Sequence, residues 1–383
     1  GGIMDQYLVG GPFSRIEWED INLNSSDQIK AYFFKHGWKP TEWNYKKDPK
    51  TKKMLRDDRG NPIQTSPKLT EDSFDSIEGD LPKLLARRNV LVHRRRMLKN
   101  VRKTDDEETG LINLVRMDGR IPAGGFPNGT NTGRVRHYNV VNIPGVGSIY
   151  GEELRDLFVA PDGYLMLGCD AAALEGRIQA HYIIPYKGGH ELADLILNGD
   201  IHQANADLWG CTRKEAKSPY YALMYGAQAP KIAQTMGCTL KEAEERYNAF
   251  WGQYEPLAMF KDDITKAWES RGGKKGGFLR GLDGRKLFAR SAHALVNLMF
   301  QSAGSISVKT ALLFANKSVQ YKGLDAKQII FYHDEVEYEV REDHAEEVKE
   351  IVEQSFPQSS KFFNLNVPLV GEGKLGKSWF DVH

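Results

Sequence analysis

The sequence predicts an α+β protein in which helices dominate and a small antiparallel sheet joins distant parts of the chain. Three observations support this class. The 383 residues are 40% hydrophobic and 27% charged, an ordinary globular composition that allows a sizeable core. Helical periodicity and capping signals recur along the second half of the chain. An apolar run at 164–169 is typical of a strand, and alternation over 328–340 is typical of a hairpin.

Local signals place the individual elements in order. Ser25 or Ser26 is expected to open a helix that closes at Gly37, a favourable pair of N-cap and C′ residues. Residues 47–69 are polar and highly charged, which favours a loop, and 118–148 are rich in Gly, Pro and Asn, which favours an irregular segment. The remaining helices are predicted over 82–103, 172–183, 201–209, 213–225, from Thr239 onward, over 255–270, over 292–316 as one helix or two, and over 344–355.

Charge and cysteine content exclude several protein classes. With 52 basic and 51 acidic residues the net charge is +1, and three scattered cysteines are too few for a disulfide framework. No apolar stretch reaches the ~18 residues of a membrane span, and the N-terminus lacks the features of a signal peptide. We therefore expect a soluble protein of a reducing compartment with no membrane association. That compartment is the cytoplasm, or the host cytoplasm if the protein is viral.

Two segments concentrate positive charge although the whole chain is nearly neutral. Residues 82–103 contain nine basic residues and no acid, and 271–290 contain seven basic residues and one acid. The first is either a solvated surface helix or a face that follows nucleic-acid phosphates, since each neutralised phosphate releases counterions. The second is rich in glycine and predicts a flexible basic hairpin. Because it has no G-x-G-x-x-G between a strand and a helix, a dinucleotide-binding loop is excluded.

Acidic residues follow two of the predicted strands. The apolar run at 164–169 delivers Asp170, and the hairpin carries His333, Asp334 and Glu335 at its turn. An apolar strand that ends in an acid is costly unless the acid has a partner, so two such acids suggest a shared divalent cation such as Mg²⁺. A pair of these ions can activate an attacking oxygen and stabilise a leaving one in phosphoryl transfer. The alternative is that Asp170 caps the following helix and Asp334 is a turn residue.

Arg213, Lys217, Tyr221 and Tyr225 recur every four residues along one predicted helix. Each step of four drifts only ~40° around a helix axis, so the side chains lie along roughly one face. Arg and Lys can hold phosphates, and an aromatic side chain can stack on a base. The alternative is a basic surface helix with two buried tyrosines. Pro219 lies inside this helix, which we expect to persist with a bend.

These residues resemble three ordered motifs of the family A DNA polymerases. The matching segments are, in the order of the family, 170–177 (DAAALEGR, motif A), 213–226 (motif B) and 333–335 (HDE, motif C), with similar connecting segments at 132–134, 198–202, 281–286 and 301–304. The pattern is most similar to the replicative polymerases of T-odd bacteriophages and more distantly similar to bacterial DNA polymerase I. The resemblance runs from about residue 12 to residue 383.

The resemblance implies a right-hand polymerase fold with a small antiparallel palm sheet, helical fingers and a partial helical thumb. It implies a template-directed DNA polymerase of phage-type replication that extends a primer 3′ end by phosphoryl transfer, with two Mg²⁺ ions as cofactor. Primer-template DNA and deoxynucleoside triphosphates would be its ligands. The implied site residues are Asp170, Asp334 and the Ala171 carbonyl as metal ligands, Glu335 as an auxiliary acid, Arg213, Lys217 and His202 on the triphosphate, Tyr221 beside the sugar, Tyr225 near the templating base, Glu175 where a 2′-OH would sit, and Arg134, Asn297, Gln301 and His333 on primer and template.

The resemblance also implies a division of the chain. The expected parts are a leader or tag remnant (1–11), a partial thumb and the start of the palm (12–160), the palm with motif A (161–200), the fingers with motif B and the basic hairpin (201–290), and the palm with motif C and the C-terminal segment (291–383). The basic segment 82–103 falls where the family has thumb structure that grips the duplex. Proofreading and part of the thumb are expected on another polypeptide or in a truncated segment. A separate exonuclease or thumb chain, or a processivity factor, is therefore an expected partner.

Other functions stay open at the level of sequence. A single-subunit RNA polymerase of the same palm type would accept ribonucleotides, and Glu175 argues against it. A non-catalytic DNA-binding subunit of the same fold would have no need for both Asp170 and Asp334. A metal nuclease that uses the same acids would leave unexplained why Arg213, Lys217, Tyr221 and Tyr225 share one helix face.

Overall fold

Two compact units make up the chain, Gly1–Asn113 and Leu114–His383. The computed structural model describes residues 20–52, 54–57, 62–101, 107–332 and 334–383, and of Val141 it describes only the backbone. In the first unit the elements are α1 (Ser26–Lys35), β1 (Trp43–Tyr45), β2 (Gln64–Pro67), α2 (Asp80–Leu98), β3 (Asn100–Val101) and β4 (Glu108–Thr109). In the second unit they are β5 (Gly124–Phe126), β6 (Arg136–Tyr138), α3 (Gly151–Arg155), β7 (Tyr164–Ala171), α4 (Leu174–Ile183), α5 (Gly189–Leu197), α6 (Ile201–Trp209), α7 (Arg213–Met224), α8 (Ala229–Met236), α9 (Leu240–Gln253), α10 (Glu255–Ser270), β8 (Phe278–Arg280), β9 (Lys286–Phe288), α11 (Leu295–Lys322), β10 (Ala326–Tyr332), β11 (Glu335–Arg341), α12 (Ala345–Phe362), β12 (Gly371–Gly376) and α13 (Trp379–Val382).

Local capping signals of the first unit act as the sequence predicts. The side chain of Ser25 accepts a hydrogen bond from the Gln28 backbone and starts α1, and Gly37 with φ +79° follows its end. The prediction of a loop over 47–69 is wrong at residues 64–67, because these residues form β2, which pairs antiparallel with β1. Strand pairing across a polar segment depends on the partner strand, which local composition does not report.

The basic segment of the first unit forms α2, which ends at Leu98. Of its basic residues, Arg94 is buried and forms an ion pair with Glu71, so it does not belong to the predicted outer face. Arg95 and Arg96 are exposed. Part of the predicted segment, residues 102–103, lies outside the described residues. The helix therefore presents a narrower basic surface than the sequence predicts.

A four-stranded antiparallel sheet with strand order β10-β11-β7-β12, called the central sheet below, organises the second unit. The predicted strand and hairpin supply β7, β10 and β11. The fourth strand, β12, was not predicted, because Gly371–Gly376 is glycine-rich and lacks an apolar alternation. Helix α12 contacts β7 and β12, and α11 packs along α12 and α4. This arrangement covers one side of the central sheet with the apolar face of α12.

Helix α13, the last helix of the chain, packs against the central sheet next to Gly168. Ser378 and Asp381 form a capping box that starts α13, and Trp379 is buried. A Cβ on Gly168 of β7 would lie 2.7 Å from Oε2 of Glu337 and 2.8 Å from the carbonyl oxygen of Val382. Only glycine therefore allows α13 and the Glu337 side chain to approach this strand so closely.

Helix α11 is one continuous helix of 28 residues, which decides between the one or two helices predicted there. The segment Ala292–Lys322 has the length and mean hydropathy of a membrane span, but 67% of that apolar window is buried inside the protein. Burial of this kind is typical of the core helix of a globular unit. The apolar character of α11 is therefore explained by its packing.

Several bounds of the second unit agree with the sequence prediction and others differ. The helix predicted over 344–355 is α12, which continues to Phe362. Helices α6 and α10 cover the predicted residues, α9 begins at the Thr239 capping box, and α7 persists through Pro219. The basic segment 271–290 contains the expected hairpin, formed by β8 and β9. The segment 118–148, predicted to be irregular, contains the short hairpin of β5 and β6. That pairing again depends on a partner strand, not on local periodicity.

Candidate active site

The two acids predicted to share a cation lie at the same edge of the central sheet. Strand β7 is buried over most of its length and ends beyond Asp170, and β11 begins directly after Asp334. The register pairs Asp170 with Glu335, and the Ala171 backbone N–H donates to the carbonyl oxygen of Asp334 at 3.1 Å. Residues 170 and 334 therefore become neighbours through strand pairing, although 164 positions separate them in the chain.

Both acids line one pocket with a volume of ≈ 490 Å³. Ala173 has φ +49°, a left-handed conformation that turns the chain from β7 into α4 at the wall of this pocket. The predicted site residues that line it are Asp170, Ala171, Glu175, His202, Arg213, Tyr221, Tyr225, Asn297, Gln301 and Asp334. Most of the predicted site thus surrounds a single cavity.

The protein around the two acids disfavours their negative charge. Asp170 keeps access to solvent, yet burial of its carboxylate, together with the nearby charges of Asp334 and Glu335, raises its pKa to about 6. Burial also raises the pKa of Asp334, although the Arg134 guanidinium opposes this effect. A divalent cation would remove the repulsion between the two carboxylates.

The donors at this edge fit a hard divalent ion. Two carboxylates and the carbonyl oxygen of Ala171 are oxygen ligands, and Mg²⁺ typically uses one or two carboxylates together with waters and substrate phosphates. Among the described residues there is no group of three or more His, Cys, Asp or Glu side chains that could hold a metal. The site therefore suits an ion that completes its coordination with substrate, not a closed structural metal site.

Glu335 points away from the pocket into a buried cluster. Trp379 Nε1 donates to its Oε1 at 3.1 Å, and His383 Nδ1 lies 2.9 Å from the same oxygen. The Nη1 atom of Arg155 is 4.0 Å from it. Burial would raise the pKa of Glu335, but hydrogen bonds from His383 and Trp379 help to outweigh burial, and the pKa falls to about 2. Its predicted role as an auxiliary acid stays a prediction, and its contacts tie the end of the chain to the sheet edge.

Arg213 faces the two acids from the start of α7. A capping box between Thr212 and Glu215 starts this helix. The Arg213 Nε donates to Oδ2 of Asp200 at 2.6 Å, and Asp200 is itself the N-cap of α6. No other hydrogen bond of the Arg213 guanidinium is found among the described residues. Its two terminal nitrogens therefore remain as donors toward the pocket.

His202 and Tyr221 continue the same wall of the pocket. Their ring centroids are 5.4 Å apart, and the His202 Nδ1 is buried with no hydrogen-bond partner among the described residues. Burial lowers the pKa of His202, and the charges of Arg213 and Lys217 lower it further. The lowered pKa favours the neutral form of the His202 imidazole. Lys217 is exposed and does not line the pocket. Of the four residues predicted to share one helix face, the pocket therefore contains the other three.

Glu175 is held between Tyr225, at the C-cap of α7, and α11. Tyr225 Oη and Gln301 Nε2 each donate to Oε1 of Glu175 at 2.8 Å. Burial and the bond to Glu175 raise the pKa of Tyr225 to about 12. Arg134 lines a small adjoining cavity together with Glu175, Gln301 and Asp334. His333 lies outside the described residues.

Several residues of the site were missed or undervalued in the sequence. Asp200 entered the sequence analysis only as part of the segment 198–202, and nothing in its spacing indicates that it pairs with Arg213. Tyr220 Oη donates to Oε1 of Gln179 at 2.8 Å and supports the pocket wall from behind. Arg155 and His383 reach Glu335 from distant positions, and no sequence signal could have found them.

The family is established by comparison with known proteins. A sequence model of DNA polymerase family A matches residues 13–381. The chain therefore belongs to the family A DNA polymerases, as the motifs predict.

Its relatives come from phages and bacteria. The DNA-directed DNA polymerases of Enterobacteria phage T3 and Escherichia phage T7 are each 30% identical to it over 99% of this chain and 55% of the relative. DNA polymerase I of Pseudomonas aeruginosa is 30% identical over 64% of this chain and 28% of the relative. The chain thus spans about half the length of the phage relatives it matches.

One solved structure shares the fold. The POL domain of Pol1 from M. smegmatis, in complex with DNA primer-template and dNTP, matches with a TM-score of 0.69 over 95% of this chain and 62% of that chain. Sequence identity is 23%, so this likeness concerns the fold alone. It confirms the α+β polymerase fold predicted from the sequence.

Proposed function

We propose that the protein is a template-directed DNA polymerase that adds deoxynucleotides to the 3′ end of a primer. The observation that carries the proposal is the meeting of Asp170 and Asp334 at one sheet edge, opposite Arg213 and His202 across a single pocket. The two carboxylates can bind metal ions, and the Arg213 guanidinium across the pocket can bind phosphate. Nucleotidyl transfer needs this arrangement of charges.

The reaction is a displacement at phosphorus. The primer 3′-oxygen attacks the α-phosphorus of the nucleotide, a new P–O bond forms, and the bond to pyrophosphate breaks with its electron pair leaving on pyrophosphate. Two Mg²⁺ ions bound by Asp170, Asp334 and the Ala171 carbonyl would lower the pKa of the primer hydroxyl and neutralise the leaving charge. The protein residues act as ligands and clamps, because the chemistry depends on positioning and charge stabilisation.

Each remaining residue has a binding role in the proposal. Arg213 exchanges its contact with Asp200 for the triphosphate, Lys217 adds charge from the solvent side, and neutral His202 donates to a phosphate oxygen. Tyr221 lies beside the sugar, Tyr225 lies near the templating base, and Glu175 excludes a 2′-OH. Arg134, Asn297, Gln301 and His333 contact primer and template.

The test is primer extension by the purified chain with deoxynucleotides and Mg²⁺. The parent should extend the primer, and Asp334→Asn should lose extension by at least about a hundredfold, because an amide cannot replace a charged ligand. Glu372→Gln is the matched control, since Glu372 pairs with Asp170 across β12 and is exposed but does not line the pocket. Unchanged extension by Asp334→Asn would overturn the catalytic assignment of Asp334, and a parent that binds primer-template without extending it would indicate a non-catalytic DNA-binding role. Preference for ribonucleotides would favour the RNA polymerase alternative.

The proposal includes the setting of the reaction. We assign it to the cytoplasm of a bacterial or phage-infected cell. Removal of a mismatched 3′ nucleotide is assigned to another polypeptide or segment, and a processivity factor is a further expected partner. Excision of a 3′ mismatch by this chain alone would contradict that assignment.

A further inference from the structure

The hairpin of β8 and β9 presents two aromatic rings and two cations on one face. Leu279 and Leu287, which pair across the hairpin, are 3% and 1% exposed and point into the core. Because side chains alternate along a strand, the neighbouring pairs project to the other face. Those pairs are Phe278 with Phe288 and Arg280 with Lys286.

Three cations lie around the Phe278 ring, next to Phe288. The two rings lie 5.9 Å apart, and Phe288 is 55% exposed. The Lys286 Nζ lies 4.8 Å from the centre of the Phe278 ring, and the guanidinium carbons of Arg271 and Arg280 lie 5.5 and 5.6 Å from it. None of these three cations has an acidic partner among the described residues. An exposed aromatic surface therefore lies next to three cations whose charge no described acid neutralises.

The hairpin is held in place at its base. Trp268, buried at the end of α10, donates from Nε1 to the Gly277 carbonyl at 3.1 Å. A Cβ on Gly277 would lie 2.4 Å from the Gly273 nitrogen, so the chain passes close to itself at this point. The sequence predicts a flexible hairpin, but these contacts fix where its outer face points.

A second cavity of ≈ 790 Å³ is lined by Phe288 and adjoins the candidate active site. Asn297 lines both cavities. Among the described residues, the wall of the second cavity contains Lys274, Phe288 and Arg290 but no acid, whereas the first contains Asp170, Glu175, Asp200 and Asp334. The second cavity therefore suits a polyanion, and the first suits cations and the reacting groups.

We propose that this face binds the unpaired template strand ahead of the site of nucleotide addition, with a base stacked on Phe288. The inference rests on the proposed polymerase function. Exposed aromatic rings bind bases that are not already stacked in a duplex, and cations beside them bind the backbone phosphates. In primer extension, the strand that is both unpaired and next to the reacting end is the template. A duplex would satisfy the charges but would leave the Phe288 ring unused.

Fluorescence anisotropy with primer-templates of different template overhang tests this proposal. With an overhang of about ten nucleotides, Phe288→Ala should weaken binding roughly tenfold, and with one unpaired nucleotide it should bind as the parent does. Phe288→Tyr should restore most of the affinity, because it keeps the ring. Phe362→Ala is the matched control, since Phe362 is 63% exposed, also packs beside another phenylalanine, and lines neither cavity.

Each result has a distinct meaning. An overhang-dependent loss in Phe288→Ala alone supports the proposal. An equal loss at every overhang length would indicate duplex binding and overturn it, and so would no loss at all. Single-nucleotide addition by the parent is measured on the same substrates. If the parent adds nucleotides but Phe288→Ala binds normally, only this inference fails. If the parent neither binds nor extends the primer, the proposed function fails as well.

Discussion

Replacement of Asp170 by asparagine should stabilise the protein when no divalent ion is present. The ordinary pKa of 3.8 rises to about 6 for this residue, first through burial and then through the charges of Asp334 and Glu335. The folded state therefore holds the Asp170 proton to higher pH than the unfolded state does. Stability falls as the pH rises from about 4 to about 6, and the full penalty is present above that range.

The magnitude follows from this shift. About two pH units would correspond to roughly 3 kcal/mol for a group isolated from solvent, at ~1.4 kcal/mol per unit. Asp170 is exposed, so solvent screening reduces the penalty to about 1 kcal/mol. For a protein of this size, Asp170→Asn should raise the Tm by about 1 °C at pH 7.5 in EDTA. The gain should vanish below about pH 4, where the parent carboxyl is protonated in both states.

Thermal unfolding with and without Mg²⁺ provides the assay. Mg²⁺ should raise the Tm of the parent, because an ion that binds only the folded state stabilises it, and should have little effect on Asp170→Asn. Glu372→Gln removes one negative charge from the paired position on β12 and should change neither measurement appreciably. A lower Tm for Asp170→Asn in EDTA, or an equal gain in Glu372→Gln, would refute the electrostatic reasoning.

Three further predictions concern the pocket and the sheet. Glu175→Ala removes the carboxylate that Tyr225 and Gln301 hold, so discrimination against ribonucleotides, measured as a ratio of kcat/KM values, should fall at least about tenfold; an unchanged ratio would contradict its assigned role. Arg213→Ala should raise the KM for deoxynucleotides about ten- to a hundredfold, and Lys217→Ala less, because only Arg213 lines the pocket; steady-state kinetics with equal effects would contradict this order. Gly168→Ala should cost about 1–3 kcal/mol of unfolding free energy in denaturant titration, since the added Cβ meets the last helix at 2.8 Å. The control Gly304→Ala, whose added Cβ has only ordinary contacts from 3.4 Å outward, should be neutral or stabilising, and equal losses would contradict the packing argument.

The predictions that succeeded depend on signals close together in the chain. The bounds of α6 and α10 and the capping box at Thr239 follow from residues within one or two helical turns. The meeting of Asp170 with Asp334 was also predicted, because two apolar strands that end in acids have few other ways to satisfy those acids.

The features that were missed depend on contacts between distant residues. Strand β12 has no apolar pattern of its own and exists because β7 offers an unpaired edge. The contact between His383 and Glu335 joins residues 48 positions apart through the packing of α13. Lys217 shares a helix with Arg213, but its long side chain extends into solvent, a choice that helical spacing does not determine.

The shared-ion claim is tested most directly by anomalous diffraction from a crystal grown with Mn²⁺, a dideoxy-terminated primer-template and the next deoxynucleotide. We expect anomalous peaks within coordination distance of both the Asp170 and Asp334 carboxylates, with the nucleotide phosphates toward Arg213. Peaks bound elsewhere, or a complete ternary complex with no ion between these two side chains, would contradict the account.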